Sequence, residues 1–278
     1  MPIQLPDSYW VTREPEGSLA ILRRDHDALV GLGYGVESDG TRLPSTMKGR
    51  GNLEEFHLPG RVLVIRRFRR GGLVRLANKD RFLDPERPFE EIRLSLALQQ
   101  LGFQTPTIVA ARSQRVGILG YRLEVVTERV DGAQSLGRLL GLQRAGLELP
   151  VPFAELAACF GDLVRRMHAV GFVHSDLQPE NFLWRPGTEG ALWILDLDRS
   201  RFEGTLPLAA KLRVQNLWRL WRYILRGDAE ARSLRRVDYQ RFLKHYEPDR
   251  LARRELVAQL AQIRQRRARW HRSEAPKP

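Results

Sequence analysis

The stretch His174-Ser-Asp-Leu-Gln-Pro-Glu-Asn181, completed by Leu192-Trp-Ile-Leu-Asp196, carries the densest chemistry in the chain. Asp176 and Asn181 stand five apart on an expected loop, and Asp196 closes a strand 20 residues beyond Asp176. Phosphoryl transfer asks for one carboxylate to orient and deprotonate an acceptor hydroxyl. It also asks for an amide oxygen and a second carboxylate to hold Mg²⁺ against the phosphates. This spacing supplies all three. Taken singly, Asp176 and Asn181 are ordinary turn residues and Asp196 an ordinary strand end. Their order, H-x-D-L-x-x-x-N and then a strand Asp, is what points to a kinase-like site.

Working outward, Phe153, Leu156, Phe160, Leu163, Val164 and Met167 recur at three- and four-residue steps and predict a buried helix that stops near Gly171. Two short strands, 182–184 and 192–195, flank a turn at Pro186-Gly187. Upstream, Arg61-Val-Leu-Val-Ile-Arg-Arg-Phe68 reads as a strand by its β-branched content. A helix is expected over 88–101 with Gly102 as its cap, then strands over 107–112 and 118–127. Gly49 and Gly51 precede the strand that carries Arg66, and Glu91 lies on the helix after it. A glycine loop, a strand cation and a helix carboxylate, in that order, are the parts a kinase uses to hold phosphates. Gly31, Gly33 and Gly35 stand about twice as far from Arg66 as Gly49 and read as a structural turn. Residues 1–44 carry weak signals. The expected class is therefore α+β and bilobal. Residues 1–127 form an N-terminal extension and strand-rich N-lobe, and residues 128–278 a helical C-lobe.

Composition narrows the classes. The 278 residues are 42% apolar and 28% charged, which excludes a disordered or fibrous chain. Cys159 is the single cysteine, so an intrachain disulfide and a cysteine metal cluster are both excluded. No apolar run reaches the roughly 20 residues of a membrane-spanning helix, and the first residues lack the pattern of a signal peptide. A cytoplasmic protein is expected. The net charge of +13 is concentrated at one end, since residues 211–278 hold 19 Lys and Arg against 7 Asp and Glu. Two basic stretches stand out: Arg66 to Arg81, and Arg213 to Arg272 with Trp218, Trp221, Tyr223 and Trp270 interleaved. They suit an anionic membrane surface. Nucleic acid is not expected, because no RNP, KH or zinc motif accompanies the charge. A non-catalytic module that binds anionic membrane is the rival from a different class.

Lys48-Gly-Arg-Gly51, Arg69-Arg-Gly-Gly-Leu73, Asn78-Lys-Asp-Arg81, Phe89-Glu-Glu91, Met167-His168, His174 to Asn181, Leu195-Asp-Leu-Asp-Arg199 and Gln215-Asn-Leu217 together resemble the bacterial 3-deoxy-D-manno-octulosonic acid (Kdo) kinases. These belong to the lipopolysaccharide core kinases, which include heptose kinases. The resemblance spans about residues 47–246. It implies a protein-kinase-like fold, ATP and Mg²⁺ as cofactors, and a Kdo or heptose hydroxyl of the lipid A–core precursor as acceptor. It further implies that Asp176 is the catalytic base and that Asn181 and Asp196 are metal ligands. Arg66 and Glu91 correspond to the phosphate-anchoring pair, and Gly49 and Gly51 to the phosphate loop. Glu128 to Val130 correspond to an interlobe hinge whose backbone meets adenine. Arg66 stands where protein kinases use Lys, as is frequent in this family. Gln178-Pro-Glu180 stands where Kdo kinases usually show Asn-Ala-His.

Ser175 occupies the place before the catalytic Asp where protein kinases carry a phosphate-reading Arg, and no Ala-Pro-Glu follows Asp196. Both features point to an always-assembled kinase of a small molecule or glycolipid, peripheral on the cytoplasmic face of the inner membrane. An antibiotic phosphotransferase is the nearest alternative. Asp198 is expected to be structural and to pair with Arg199 or Arg201.

Overall fold

The computed structural model describes residues 4–48, 52–69, 80–117, 120–187, 192–227 and 235–273. The chain divides into two units. The first is Met1–Asp131 together with Leu197–Arg199, and the second is Gly132–Asp196 with Ser200–Pro278.

The first unit is built on an antiparallel sheet of seven strands in the order β1-β2-β6-β7-β5-β4-β3. Its strands are β1 (Tyr9–Glu14), β2 (Gly17–Leu22), β3 (Leu43–Lys48), β4 (Asn52–Leu58), β5 (Arg61–Arg67), β6 (Ile108–Arg115) and β7 (Tyr121–Glu128). Helix α1 (His26–Gly31) follows β2, and helix α2 (Arg87–Gln100) precedes β6. Side chains alternate across a strand, so the sheet supplies two cores at once. Leu63 and Ile65 pack with Phe56, Ile21, Val126, Leu29 of α1 and Tyr34 on one face. On the other, Val125, Leu123 and Ala111 pack with Phe89 and Ile92 of α2 and with Phe68 and Phe82. Arg66 is paired with Val125 across the ladder and therefore shares the α2 face.

The weak signals over residues 1–44 conceal real structure. The β1–β2 hairpin extends the sheet through β6, and Gly17 makes that junction possible. A Cβ there would sit 2.1 Å from the Ser113 carbonyl oxygen, and its φ of 152° is one that L-residues rarely adopt. Gly31 ends α1, and Gly33 and Gly35 lie in the turn that follows it.

The second unit is helical, with a small sheet ordered β11-β10-β8 and a separate β12-β9 pair. In chain order it comprises β8 (Gln134–Ser135), α3 (Leu136–Arg144), α4 (Phe153–Ala169), β9 (Phe172–Val173), β10 (Phe182–Trp184), β11 (Leu192–Ile194), β12 (Arg201–Phe202), α5 (Ala210–Gly227), α6 (Arg236–Tyr246) and α7 (Arg250–Ser273). Helix α4 is its axis, with Leu156, Phe160, Leu163, Val164 and Met167 all buried. The Phe160 ring meets Phe182 at 4.8 Å and Phe242 of α6 at 5.7 Å between centroids. α4 and α6 approach closely at Gly161, where a Cβ would lie 2.4 Å from the Phe242 carbonyl oxygen.

That contact makes a sharp prediction. Gly161→Ala should destabilise the protein by about 1–3 kcal/mol, because a backbone carbonyl cannot step aside as a side chain can. Gly141→Ala on α3 meets nothing within 4 Å and should be neutral or slightly stabilising, since Ala is the better helix former. Thermal unfolding of the two variants against the parent checks both, and equal midpoints would contradict the close-packing argument.

Candidate active site

The residues expected to form the catalytic loop lie in the second unit. Between β9 and β10 the chain leaves extended structure, and buried His174 sets the geometry of the turn. Its Nε2 lies 2.9 Å from the Leu195 carbonyl, so that nitrogen carries the proton and donates, while Nδ1 accepts from the Asp176 amide at 3.2 Å. The ring is thereby held neutral, and burial pushes its pKa down. His174 is a strut between Asp176 and the strand leading to Asp196.

Asn181 closes the loop. Its Nδ2 donates to the Asp176 carbonyl at 2.8 Å, and its own carbonyl accepts from the Leu195 amide at 2.9 Å. With Nδ2 engaged in this way, Oδ1 is the amide atom that would serve a cation. Asp196 takes a left-handed φ of 54° immediately after β11. Among the described residues no three His, Cys, Asp or Glu side chains gather as a metal cage. One carboxylate and one amide oxygen nonetheless fit Mg²⁺, a hard ion that takes few protein ligands and completes its shell with phosphate and water.

Two residues that the sequence reading left without a role complete this loop. Gln178 donates from Nε2 to Asp176 Oδ2 at 2.7 Å and so orients the expected base. Glu180 accepts from Ser135 Oγ at 2.9 Å and from Tyr223 Oη at 3.0 Å, at the N-terminus of α3. A negative charge suits that helix end, and Gly137 leaves the space for it, since a Cβ there would sit 2.1 Å from Glu180 Oε1. Ser135 and Tyr223 are 45 and 43 positions from Glu180, which leaves no local signal to find them by.

Beneath the loop runs a buried relay. Arg213 Nε donates to Tyr246 Oη at 2.9 Å, and the hydroxyl donates to His168 Nδ1 at 2.8 Å. His168 Nε2 then donates to Asn216 Oδ1 at 3.1 Å, and Asn216 Nδ2 to the His174 carbonyl at 2.7 Å. The relay needs His168 neutral, and burial pushes its pKa down to about 4.

The first unit holds the other expected pair. Arg66 Nη2 reaches Glu91 Oε1 at 2.6 Å, with the guanidinium 4.6 Å from the centre of the Phe68 ring. Glu91 also accepts the Leu197 amide on Oε1 at 3.0 Å. Asp198 departs from expectation, for its partner is Arg87 on α2. Arg87 Nε donates to Asp198 Oδ1 at 3.0 Å and Nη2 to Oδ2, whereas Arg201 pairs with Glu203. Arg87 is 111 positions away, beyond the reach of a local rule. Gly49 and Gly51 lie outside the described residues, although β3 and β4 on either side pair through Lys48 and Asn52. At the expected hinge, the Glu128 amide is donated to Thr107 and the Arg129 amide to Val62.

Part of the cationic surface expected from sequence is neutralised by ion pairs. Arg67 pairs with Asp39 at 2.9 Å and Glu54 at 3.1 Å, and Arg213 with Glu247 at 2.7 Å.

The His168 relay predicts a pH signature. Between the folded value of about 4 and the ordinary 6.5, the unfolded chain binds a proton that the folded chain does not. This contribution, on the order of 3 kcal/mol, is full above pH 6.5 and is lost as pH falls toward 4. His168→Gln should lower the unfolding midpoint at pH 7 and flatten its fall between pH 6.5 and 4. Parallel midpoint curves for the two proteins would contradict the neutral relay.

Residues 42–246 match the lipopolysaccharide kinase (Kdo/WaaP) family. The 3-deoxy-D-manno-octulosonic acid kinase of Actinobacillus succinogenes is 31% identical over 216 residues, covering 74% of this chain and 85% of that protein. The same enzyme of Xanthomonas campestris pv. campestris is 32% identical over 246 residues, covering 84% and 92%. A solved structure described as WaaP in complex with acyl carrier protein superposes with a TM-score of 0.55 at 21% identity, covering 86% of this chain and 90% of that one, and shows a shared fold. On these matches the chain belongs to the lipopolysaccharide kinase (Kdo/WaaP) family.

Proposed function

We propose that this lipopolysaccharide core kinase transfers the γ-phosphoryl group of ATP to a Kdo hydroxyl of the lipid A–core precursor at an anionic membrane surface. The observation that carries the reading is the loop in which Asp176 is oriented by Gln178 and tied through its carbonyl to Asn181. In this reading Asp176 aligns the acceptor hydroxyl and receives its proton. Asn181 Oδ1 and the Asp196 carboxylate hold Mg²⁺, which would neutralise charge on the transferring phosphate. Arg66, fixed by Glu91, anchors the non-transferred phosphates as a planar, permanently charged donor. Family membership disfavours both the antibiotic phosphotransferase and the non-catalytic module.

The membrane part of the proposal rests on α7. Leu256 and Leu260 are buried and dock its first turns, while Arg264 and Arg266 beyond them are exposed. Arg267, Arg269, Trp270 and Arg272 continue the same helix, and their side chains lie outside the described residues. Among the described residues no helix is long and apolar enough to cross a membrane, so the attachment proposed is peripheral, at the cytoplasmic face of the inner membrane. Each basic residue near the surface contributes up to about 1 kcal/mol.

The direct test is incubation with ATP, Mg²⁺ and a panel of Kdo- and heptose-bearing lipid A precursors. Phosphate should appear on Kdo, and phosphate on heptose alone would reassign the acceptor. Asp176→Asn should lower kcat by about 10²–10⁴-fold and leave ATP binding intact. Full turnover in that variant would remove Asp176 from the base role.

The two metal ligands should differ in severity. Asp196→Asn removes the full charge and should abolish turnover, whereas raised Mg²⁺ should partly rescue Asn181→Ala. The reverse order would mean the ligands are misassigned.

Truncation after Ala261 removes the basic end of α7 and keeps every site residue. The shortened protein should retain activity on a soluble acceptor and lose binding to anionic vesicles. Binding by the full chain should weaken steeply with salt, since the field is screened over about 10 Å at 0.1 M. Vesicle binding that survives both truncation and salt would contradict the assignment to α7.

A further inference from the structure

We propose that Arg87 is a positioning residue for the metal ligand Asp196, acting through its forked ion pair with Asp198. The proposal deepens the reading above and rests on Asp196 being that ligand.

The segment Leu197-Asp198 lies between two residues in left-handed backbone, Asp196 at φ 54° and Arg199 at φ 58°. Neither is glycine. Such conformations cost about 1–3 kcal/mol each and persist only where surrounding contacts over-determine them. The contacts come from one face of α2. Glu91 takes the Leu197 amide, and Arg87, one helical turn before Glu91, takes both oxygens of Asp198. A main-chain hydrogen bond and a side-chain fork therefore fix two successive residues from a single rigid element. The first of those residues is joined by a peptide bond to Asp196.

Arg87 is placed against its own helix's preference. It is the first residue of α2, where the positive end of the helix dipole disfavours a cation. A residue that breaks the local rule needs a compensating gain, and Asp198 supplies it. The pair is largely withdrawn from water, with the Arg87 and Asp198 side chains 13% and 21% exposed. The guanidinium lies 4.6 Å from the centre of the Phe82 ring and 5.4 Å from that of Phe68. Those rings hold the fork in one orientation and shield it from solvent. A surface ion pair would have neither property.

The arrangement has a functional reading. Many kinases order the chain beyond the metal-binding Asp by phosphorylating it, and the phosphate is then gripped by an Arg. Here the acidic partner is encoded as Asp198, so the grip is permanent. The enzyme is then assembled without a modification step, in keeping with the lack of an Ala-Pro-Glu motif after Asp196.

The test compares Asp198→Asn, Arg87→Lys and the exchange variant Arg87→Asp/Asp198→Arg with the parent, all as full-length protein. Thermal unfolding establishes that each is folded. The readouts are the Mg²⁺ concentration for half-maximal activity, the KM for the acceptor, and the Mg²⁺-dependent part of the thermal shift given by ATP. Asp198→Asn should raise the Mg²⁺ requirement by about 10–100-fold, the usual effect of losing a partner that orients a metal ligand. It should leave the acceptor KM unchanged and shrink the Mg²⁺-dependent thermal shift. Arg87→Lys keeps the charge without the fork and should fall between, and the exchange variant should recover part of the loss. A folded Asp198→Asn protein with parental Mg²⁺ dependence would overturn the proposal and leave the pair purely structural. Asp196→Asn serves as the reference. Because its turnover should be abolished, it is read by the thermal shift alone; if it keeps the parental Mg²⁺-dependent shift with ATP, the metal reading itself fails and the positioning role falls with it.

Discussion

The Glu91 carboxylate is buried on α2, and it is the junction at which several demands meet. A buried charge is costly unless paired, so its surroundings are constrained to satisfy it. One demand is met by Arg66, which the alternation of β5 turns toward α2. Another is met by the Leu197 amide, the first peptide group after Asp196. Because the same oxygen, Oε1, serves both, the position of α2 on the sheet, the direction of Arg66 and the path of residues 197–198 are not independent. The aromatic rings of Phe68, Phe82 and Phe89 fill the space around this junction. They keep the local dielectric low and the ion pairs strong.

The second unit solves a comparable problem with neutral groups. Its His174–Asn181 loop is held by hydrogen bonds whose direction is fixed throughout: His174 donates to Leu195 and accepts from Asp176, and His168 donates to Asn216 and accepts from Tyr246. Each imidazole is locked in one tautomer. Burial of both rings keeps them uncharged, which a charged relay beside Arg213 would not allow. The loop thus holds Asp176 and Asn181 on a rigid base, with Asp176 Oδ2 itself oriented by Gln178.

What the sequence made legible follows from the range of each interaction. The β5 strand, the α2 and α4 helices and the His174–Asn181 loop announce themselves because their signals lie within a few residues: alternation, three- and four-residue spacing, a compact motif. Arg66 and Glu91 were found by order alone, and the structure brings them together. The β1–β2 hairpin was missed because its strands are short and half polar, and their partner β6 lies some ninety residues on. Gln178, Glu180, His168 and Arg87 were left without roles because their partners, or the role itself, come from distant elements. Asp198 was assigned to neighbours in sequence when its partner stood on α2. The cationic surface was overestimated for the same reason, since Arg67 and Arg213 are answered by carboxylates from elsewhere in their units.

The charge on Glu91 holds Arg66 in the geometry proposed to anchor phosphate. Steady-state kcat/KM for ATP in Glu91→Gln tests it most directly, because Gln preserves shape and can still accept the Leu197 amide. Misplacing a positioning group by about 1 Å costs on the order of 100-fold in rate, so kcat/KM should fall by about 100-fold while the fold is retained. A folded Glu91→Gln enzyme with parental kcat/KM for ATP would contradict the account.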